Sequence, residues 1–451
     1  MEKVPGVLSR SDAENIGIEV FSRVHAREAI ITVGSHTVTT ADFANNDMSN
    51  MSGDAGSVVR IVLSIDGHQV SGSTEDVTTG GLSTLLDDIV GLAAHDRQSM
   101  SEGLFLASPE NFSDPPIYFE STLAGTVAGA QGDLLRSAAN LADEARQIGA
   151  GTLKCAAGSS LLLTTTGVKA YTRATYGEFS MNSRTASHAG SGWAWSGSED
   201  FANVNVEQVA RRAIDIAKRS DNPVSIEPGR YVVIIEPEAV AQLVDLVIGA
   251  PTAQMALEFA EQGYSAFARV GGGSKLGLRI VDARINLLSD PLDPLMPFSP
   301  LGPNGYIMKR TSWIAQGVLT NLATSFFYAQ QRKRAPVVNP NCARLEMTGE
   351  SQTLDRMIAS TQRGIWVHRF SDFNVMNGQT LQLSAVTRDG TFLIENGKVT
   401  KPIKNMRFAE SPFFILNKLD SSGVPARGSE NIVCPRLKVH DFEFTSLSDA
   451  I

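Results

Sequence analysis

The sequence lacks the closely spaced histidines from which helical zinc sites are built. HExxH and its variants are absent, and no two histidines fall within ten residues of each other. The seven histidines are His25, His36, His68, His95, His188, His368 and His440. We therefore expect no metal site in this chain, and a site assembled from residues far apart in the sequence is the alternative.

Cysteine is equally scarce. The three cysteines, Cys155, Cys342 and Cys434, are far apart and form no CxxC pair, which excludes a disulfide framework and favours a reducing compartment. The N-terminal residues lack the apolar core of a signal peptide, and no uncharged apolar run approaches the ~20 residues that span a bilayer. We expect a cytoplasmic protein without a membrane anchor.

Two further classes of motif are missing. The nucleophile motif GxSxG does not occur, and in GGGSKLG (271–277) the lysine and serine precede the last glycine, the wrong order for a phosphate-binding loop. This loop is better read as a hairpin or hinge. Asp290 and Asp293 could bind a cation, but Asp-Pro pairs first indicate turns.

Positive charge is in deficit, and this argues against nucleic acid as a partner. The 451 residues carry a formal net charge of −9, with a pI near 5.4. QRKR (331–334) is the only compact basic segment, and it is typical of a solvated loop.

The pattern of apolar residues predicts an α+β protein of two domains. Residues 1–225 read as an N-terminal α/β domain with a mixed sheet, including an Asp66-Gly67 hairpin turn and helices over 83–95, 133–148 and 205–219. Residues 226–451 read as a C-terminal β-rich domain, a partly closed barrel or a pair of sheets. The Ser/Gly-rich segment 180–200 is predicted to be a loop.

One stretch in the middle of the chain, residues 229–251, reads as a buried strand followed directly by a helix. Tyr231 to Ile235 are all apolar, Pro237 suits the first helical turn, and Gly249 and Pro251 end the helix. On that helix a narrow polar stripe is formed by Glu238, Gln242 and Asp245. A largely buried helix with one polar stripe is a candidate site for chemistry.

Several segments of the chain resemble the TldD/PmbA (TldE) family, whose members were once called modulators of DNA gyrase. The resemblance runs from about residue 57 to 437 and is carried by segments in family order. These are IEPGRYVVIIEPEAV (226–240), LGLRIVDARINLLSDP (276–291), IAQGVLTNLATSFFYA (314–329), TLDRMIASTQRGIWV (353–367) and FLIENGKVTKPIKNMRFAES (392–411).

The resemblance implies a two-domain fold and a dimer. TldD-type members hold zinc through HExxxH on the helix after the central strand, with a further cysteine ligand near the C-terminus. They pair with a TldE/PmbA-type subunit that lacks the motif, and the dimer encloses a chamber that cleaves unfolded peptides. Aligning the strands places Val244, Asp245 and Gly249 near the positions of His, Glu and His. The opening PEAVAQLV (237–244) has the PmbA/TldE form, and Cys434 lies near the family's cysteine region.

Three hypotheses follow for function. The first is a non-catalytic PmbA/TldE-like subunit, with no zinc of its own, that dimerises with a TldD-like zinc subunit or with itself around unfolded peptides. Its candidate chamber residues are Glu238, Gln242 and Asp245. The second is a divergent hydrolase that uses Glu238, Asp245, His188 or Cys434, and the third is a homodimeric regulatory scaffold.

Overall fold

The computed structural model describes residues 6–65, 68–95, 103–113, 115–127, 129–249, 254–429 and 431–448. Two turn predictions, Asp66-Gly67 and Pro251, lie outside the described residues. The helices within these ranges are α1 (Arg10–Arg23), α2 (Thr79–His95), α3 (Glu120–Gly125), α4 (Gly132–Glu144), α5 (Val206–Arg219), α6 (Pro237–Ile248), α7 (Leu257–Glu261), α8 (Phe326–Gln331), α9 (Leu354–Ala359) and α10 (Pro412–Asn417). No helix in the described part of the chain is both long and apolar enough to cross a membrane.

The strands divide into an N-terminal and a C-terminal set. The first set is β1 (Glu28–Ala44), β2 (Asp47–Ile65), β3 (His68–Thr74), β4 (Gln147–Thr164), β5 (Lys169–Thr185) and β6 (Ser191–Ser198). The second set is β7 (Gly229–Ile235), β8 (Ile285–Ser289), β9 (Thr311–Ala315), β10 (Val318–Leu319), β11 (Ala343–Met347), β12 (Arg363–Asn377), β13 (Gln382–Glu395), β14 (Lys398–Pro402), β15 (Met406–Glu410), β16 (Leu419–Ser422), β17 (Ala426–Arg427), β18 (Ile432–Cys434) and β19 (Leu437–Leu447).

The first six strands form one sheet in the order β3-β2-β1-β4-β5-β6. The sequence predicts a mixed sheet here, and this detail is wrong: every described pairing in the sheet is antiparallel. Short connections join β1 to β2, β2 to β3, β4 to β5 and β5 to β6, as antiparallel neighbours allow, whereas the long connection from β3 to β4 carries helices α2, α3 and α4. The parallel pairs occur instead in the C-terminal half, between β7 and β12 and between β11 and β18.

Helices cover one face of this sheet. Alternate side chains such as Phe43, Leu153 and Phe179 pack against α4 and α5, while Ile31 and Leu161 pack with α1 and α2. The period of two along each strand sends the intervening residues to the opposite face. That second face carries half-buried polar and aromatic side chains and is met at one end by C-terminal loops.

The segment 180–200, predicted to be a loop, is instead the end of β5, a turn and strand β6. Its small residues serve packing rather than flexibility. A Cβ at Gly192 would collide with the backbone of α5 at Ala213 and Ala217, so glycine lets the helix lie directly on the strand.

The C-terminal half contains a barrel and a second sheet. Strands follow the order β12-β7-β19-β15-β13, and β13 pairs again with β12, which closes the ring. The second sheet has the order β10-β9-β8-β11-β18-β17. The α+β class with a barrel-like C-terminal region is confirmed. The proposed boundary at 225/226 falls between α5 and β7, and as a boundary between separately folding units it stays a prediction.

Helix α6 lies between the barrel and the second sheet. It contacts β12 on one side and β18 on the other, and its apolar residues belong to the same core cluster as both. As the sequence predicts, Pro237 is in the first turn and Gly249 is the C-cap residue. The helix therefore begins where three elements meet: the end of β7, strand β12 and the β18–β19 connection.

Candidate functional site

The start of α6 is surrounded by buried charged groups. Glu236, the residue before the helix, is 2% exposed, and Glu238 in its first turn is 6% exposed. Burying two carboxylates only two residues apart is costly unless cations and hydrogen-bond donors compensate them. The surrounding elements supply those groups unequally, and the two glutamates therefore behave differently.

Glu236 is fully compensated. Arg436 donates from Nε to Oε1 over 2.7 Å and from Nη2 to Oε2 over 2.8 Å, and Trp366 Nε1 donates to Oε1 over 2.7 Å. Burial by itself would raise the pKa of Glu236. The Arg436 hydrogen bonds and charge outweigh burial, and the pKa is lowered. Glu236 is thus a fixed carboxylate that ties the start of α6 to β12 and β19.

Glu238 is only partly compensated. Arg212 of α5 lies 3.2 Å away, between its Nη1 and Oε1 of the glutamate, while Oε2 is buried without a hydrogen-bond partner. Burial raises the pKa of Glu238, the charge of Arg212 opposes that rise, and the neighbouring Glu236 adds to it. The side chain is therefore a buried carboxyl that resists ionisation.

A buried histidine lies beside this pair. His368 of β12 stacks against Trp366 with ring centroids 4.4 Å apart, and its Nδ1 lies 3.2 Å from the carbonyl oxygen of Gly390. Burial lowers the pKa of His368 to about 4, although Glu236 partly opposes the shift. Because of this low pKa, the imidazole is neutral at physiological pH, and its Nδ1–H donates to the carbonyl oxygen of Gly390.

Cys434 at the end of β18 contacts the first turn of α6. Its Sγ donates to the carbonyl oxygen of Pro237 over 3.2 Å. Complete burial, with the charge of Glu238 adding to it, raises the pKa of the thiol well above its ordinary range. The other cysteines are also buried, with pKa values raised to about 11 for Cys155 and about 12 for Cys342. A thiol of this kind is a poor nucleophile.

The structure thus brings together some of the predicted residues and separates others. Glu238 and Cys434 are at the α6–β18 contact, whereas Gln242 faces β12, where its Oε1 accepts from the backbone N–H of Phe370 over 3.0 Å. Asp245 is half-buried, further along the helix. His188 occupies the exposed β5–β6 turn with a φ of 59°, and no contact joins it to the other three hydrolase candidates in the described chain.

Sequence reasoning missed most of the partners. These partners come from three separate parts of the chain, and no spacing in the sequence links them to α6: Arg212 is on α5, Trp366 and His368 are on β12, and Arg436 is in the β18–β19 connection. One signal was available for Glu236. It follows an unbroken buried strand and precedes Pro237, so its carboxylate had to be buried at the end of the sheet.

The residues at this site do not fit a metal ion. Arg436 occupies both oxygens of Glu236, and Nδ1 of the neighbouring His368 is bonded to the backbone carbonyl of Gly390. Across the ranges that the structure describes, no three His, Cys, Asp or Glu side chains are grouped so that they could hold a metal.

Comparisons with known proteins identify the fold. The chain matches the PmbA/TldA metallopeptidase central domain over residues 129–221 and the PmbA/TldA metallopeptidase C-terminal domain over residues 228–446. No curated protein sequence matches it.

Solved structures agree with these matches. A candidate modulator of a DNA gyrase from Thermotoga maritima superimposes with a TM-score of 0.84 at 15% identity, covering 96% of this chain and 100% of that one. A second candidate modulator, from Bacteroides thetaiotaomicron, gives a TM-score of 0.81 at 19% identity, covering 97% and 100%. TldE from Thermococcus kodakarensis gives 0.79 at 16% identity, covering 96% and 99%. The two family domains and the shared fold together show that this chain belongs to the PmbA/TldD family.

Proposed function

We propose that the chain is a non-catalytic, TldE-like subunit of a zinc peptidase that acts on unfolded peptides. In this proposal the zinc and its general base belong to a TldD-like partner that carries HExxxH. The present chain contributes a wall of the peptide chamber, with Glu238, Gln242 and Asp245 on the helix that would otherwise carry the metal.

The contact between Cys434 and Pro237 carries the proposal. If Cys434 stands where the family's cysteine ligand stands, the HExxxH positions are those beside it, which are Pro237, Glu238 and Gln242 rather than residues 244–249. The central glutamate and the cysteine are then present, and both imidazoles are replaced. Proline and a backbone-bonded glutamine cannot ligate zinc in their place.

The local charges support the same proposal. Zinc would supply positive charge beside Glu238, and here Arg212 is the cation nearest to that carboxyl, with Arg436 on Glu236. The guanidinium groups compensate Glu236 fully and Glu238 in part without a metal. We further propose a cytoplasmic location, in keeping with three buried thiols that are free.

Three measurements on the purified full chain test the proposal. We expect substoichiometric zinc by elemental analysis, no hydrolysis of an unfolded casein substrate, and recovery of an HExxxH-bearing protein when the tagged chain is isolated from its own cells. Stoichiometric zinc together with peptide hydrolysis by the chain alone would overturn the proposal in favour of a divergent hydrolase. Reproducible isolation of a homodimer with no such partner would instead favour the regulatory scaffold.

A further inference from the structure

A cavity lies on the face of the N-terminal sheet that the helices leave uncovered. Its volume is about 480 Å³. Tyr176 and Glu178 of β5 and Trp193 and Trp195 of β6 line it, and Asn431 and Ser429 of the β17–β18 loop border it from the C-terminal half. The sequence does not group these residues, because the segment 180–200, which contains Trp193 and Trp195, reads as a loop.

Strand alternation explains why aromatic rings gather here. Phe179, Met181 and Ala194 point into the core under α4 and α5, so Glu178, Trp193 and Trp195 point to the opposite face. Phe179 and Met181 fix the register of β5, and the cavity residues are held by that buried side of the sheet.

Gly197 makes room for the rings. It pairs directly with Glu178 across the β5–β6 ladder. A Cβ at this position would lie 2.5 Å from the Tyr176 hydroxyl and 2.6 Å from Cζ2 of Trp195. The missing side chain therefore lets the indole and the phenol converge on the carboxylate.

Glu178 places a carboxylate among the rings of Tyr176, Trp193 and Trp195. Its Oε2 accepts hydrogen bonds from Trp195 Nε1 over 3.0 Å and from the Tyr176 hydroxyl over 3.1 Å. Burial beside this carboxylate raises the pKa of Tyr176, so the phenol stays a neutral donor. Both donors bind the same oxygen, and Oε1 accepts no hydrogen bond from the residues that the structure describes.

The cations nearby are already matched with other acids. Arg369 stacks on the Trp193 ring at 4.4 Å and pairs with Asp389, and Arg427 lies 5.5 Å from the Tyr176 centroid and pairs with Glu199. Lys154 is opposite Glu178 in the β4–β5 ladder. Within the described residues, no lysine or arginine is within ion-pair distance of Glu178. The pocket thus offers, among aromatic rings, a carboxylate that accepts two hydrogen bonds but has no cationic partner within the described residues.

We propose that this pocket binds the cationic side chain of a peptide, a lysine ammonium or an arginine guanidinium. Aromatic faces attract cations through the ring quadrupole, and a carboxylate at the end of the pocket adds charge pairing. The net charge of −9 favours approach of basic rather than acidic peptides. That the ligand is a peptide rests on the proposed function, whereas the preference for a cation rests on the pocket alone.

The test uses the purified full chain and follows tryptophan fluorescence during titration. The probes are a short unstructured peptide with one central lysine, the same peptide with norleucine, and methylguanidinium as a small cation. We expect the lysine peptide to bind at least tenfold more tightly than the norleucine peptide. Glu178→Gln, which retains an acceptor for Trp195, should abolish that difference, and Glu207→Gln on the exposed surface of α5 should preserve it.

Each outcome bears on the proposal. Equal affinity for the lysine and norleucine peptides, or unchanged selectivity in Glu178→Gln, would overturn it. Saturable quenching by methylguanidinium that is lost in Glu178→Gln, without peptide binding, would keep the cation site and reject the peptide as its ligand. None of these readouts depends on zinc or on a partner subunit, so failure of the proposed function would be recognised separately.

Discussion

Arg436 holds Glu236 by both carboxylate oxygens, and this pair fixes the turn from which α6 begins. The two hydrogen bonds measure 2.7 and 2.8 Å, and the glutamate is almost fully buried. The two residues are about two hundred positions apart in the sequence, at the end of β7 and just before β19. The ion pair therefore links the helix at the candidate site to the last strand of the barrel.

Arg436→Met should destabilise the fold strongly. The substitution leaves Glu236 buried without its cation, a loss of about 3–5 kcal/mol in the free energy of unfolding. Urea unfolding of the full chain measures it. Arg211→Met, in an exposed pair with Glu207, is the control and should cost under about 0.5 kcal/mol. Equal effects from the two variants would contradict the role assigned to Arg436.

His368 should make stability fall as the solution is acidified. Its pKa is lowered from the ordinary value of 6.5 to about 4 in the folded protein. Between pH 6.5 and pH 4 the unfolded chain therefore binds a proton at this residue more readily than the folded chain does. This contribution is present at neutral pH and is lost as pH falls, by about 2 kcal/mol between pH 7 and pH 5. Glu236, whose pKa is lowered below that of an ordinary glutamate, adds its own loss at lower pH.

The variant that isolates this effect is His368→Asn, whose amide can still donate to Gly390. Its free energy of unfolding should change less between pH 7 and pH 5 than that of the parent chain. Parallel pH profiles for the two proteins would show that His368 is not responsible.

The three cysteines should be unreactive in the folded protein. All three are buried and their pKa values are raised, so thiolate is scarce at neutral pH and access is blocked. Titration with a chromogenic disulfide should detect no rapidly reacting thiol in the native chain and three after unfolding in guanidinium. Fast labelling of Cys434 in the native protein would revive it as a candidate nucleophile.

Asp389 connects the barrel to strands β5 and β6 of the N-terminal sheet, and its substitution should destabilise the protein. This buried side chain accepts from Ser191 over 2.9 Å and from Asn182 over 3.2 Å, and it pairs with Arg369 at 3.0 Å. Asparagine tolerates the residue's φ of 51° as aspartate does, so Asp389→Asn tests charge and hydrogen bonding without backbone strain.

The expected loss for Asp389→Asn is about 1–3 kcal/mol in the free energy of unfolding, because Arg369 loses its carboxylate and one donor loses its acceptor. The matched control is Asp215→Asn on the exposed side of α5, where its pair with Arg219 is solvated. A loss no larger than that of the control would show that the contact between the halves is dispensable.

Restoring two imidazoles should give the chain a metal. Pro237→His combined with Gln242→His creates HExxxH around the existing Glu238, beside Cys434. We expect about one zinc per chain in the double variant by elemental analysis, none with Pro237→His alone, and loss of the metal when Cys434→Ser is added. A folded double variant without zinc would show that the HExxxH register is not the one beside Cys434.

The local signals of the sequence predicted α6 well. Pro237, Gly249 and the apolar run before them act within a few residues, and the structure places the helix boundaries there. A helix predicted over 133–148 ends earlier, at Glu144, because Arg146 adopts a φ of 55° and β4 begins at Gln147. Boundaries of this kind depend on tertiary contacts that propensity does not record.

The candidate site was harder to predict, and for a physical reason. Glu238 and Gln242 share a helix, so their spacing is visible in the sequence. Arg212 and His368 reach the same place only because α5 and β12 pack there. Trp193 and Trp195 were not predicted to line a pocket, because the Ser/Gly-rich segment 180–200 has the composition of a loop. Alternation of Trp193 and Trp195 with small residues was the available signal for a strand.

The ring closure of the barrel has a consequence for how the protein is made. Strand β7 pairs on one side with β12 and on the other with β19, so neither partner has been synthesised when it leaves the ribosome. One edge of β7 therefore stays unpaired until β12 has been synthesised, and the other edge until β19 has been synthesised. A chain interrupted before Leu437 would leave the edges of β7 and β15 without their partner β19, and unpaired strand edges promote aggregation.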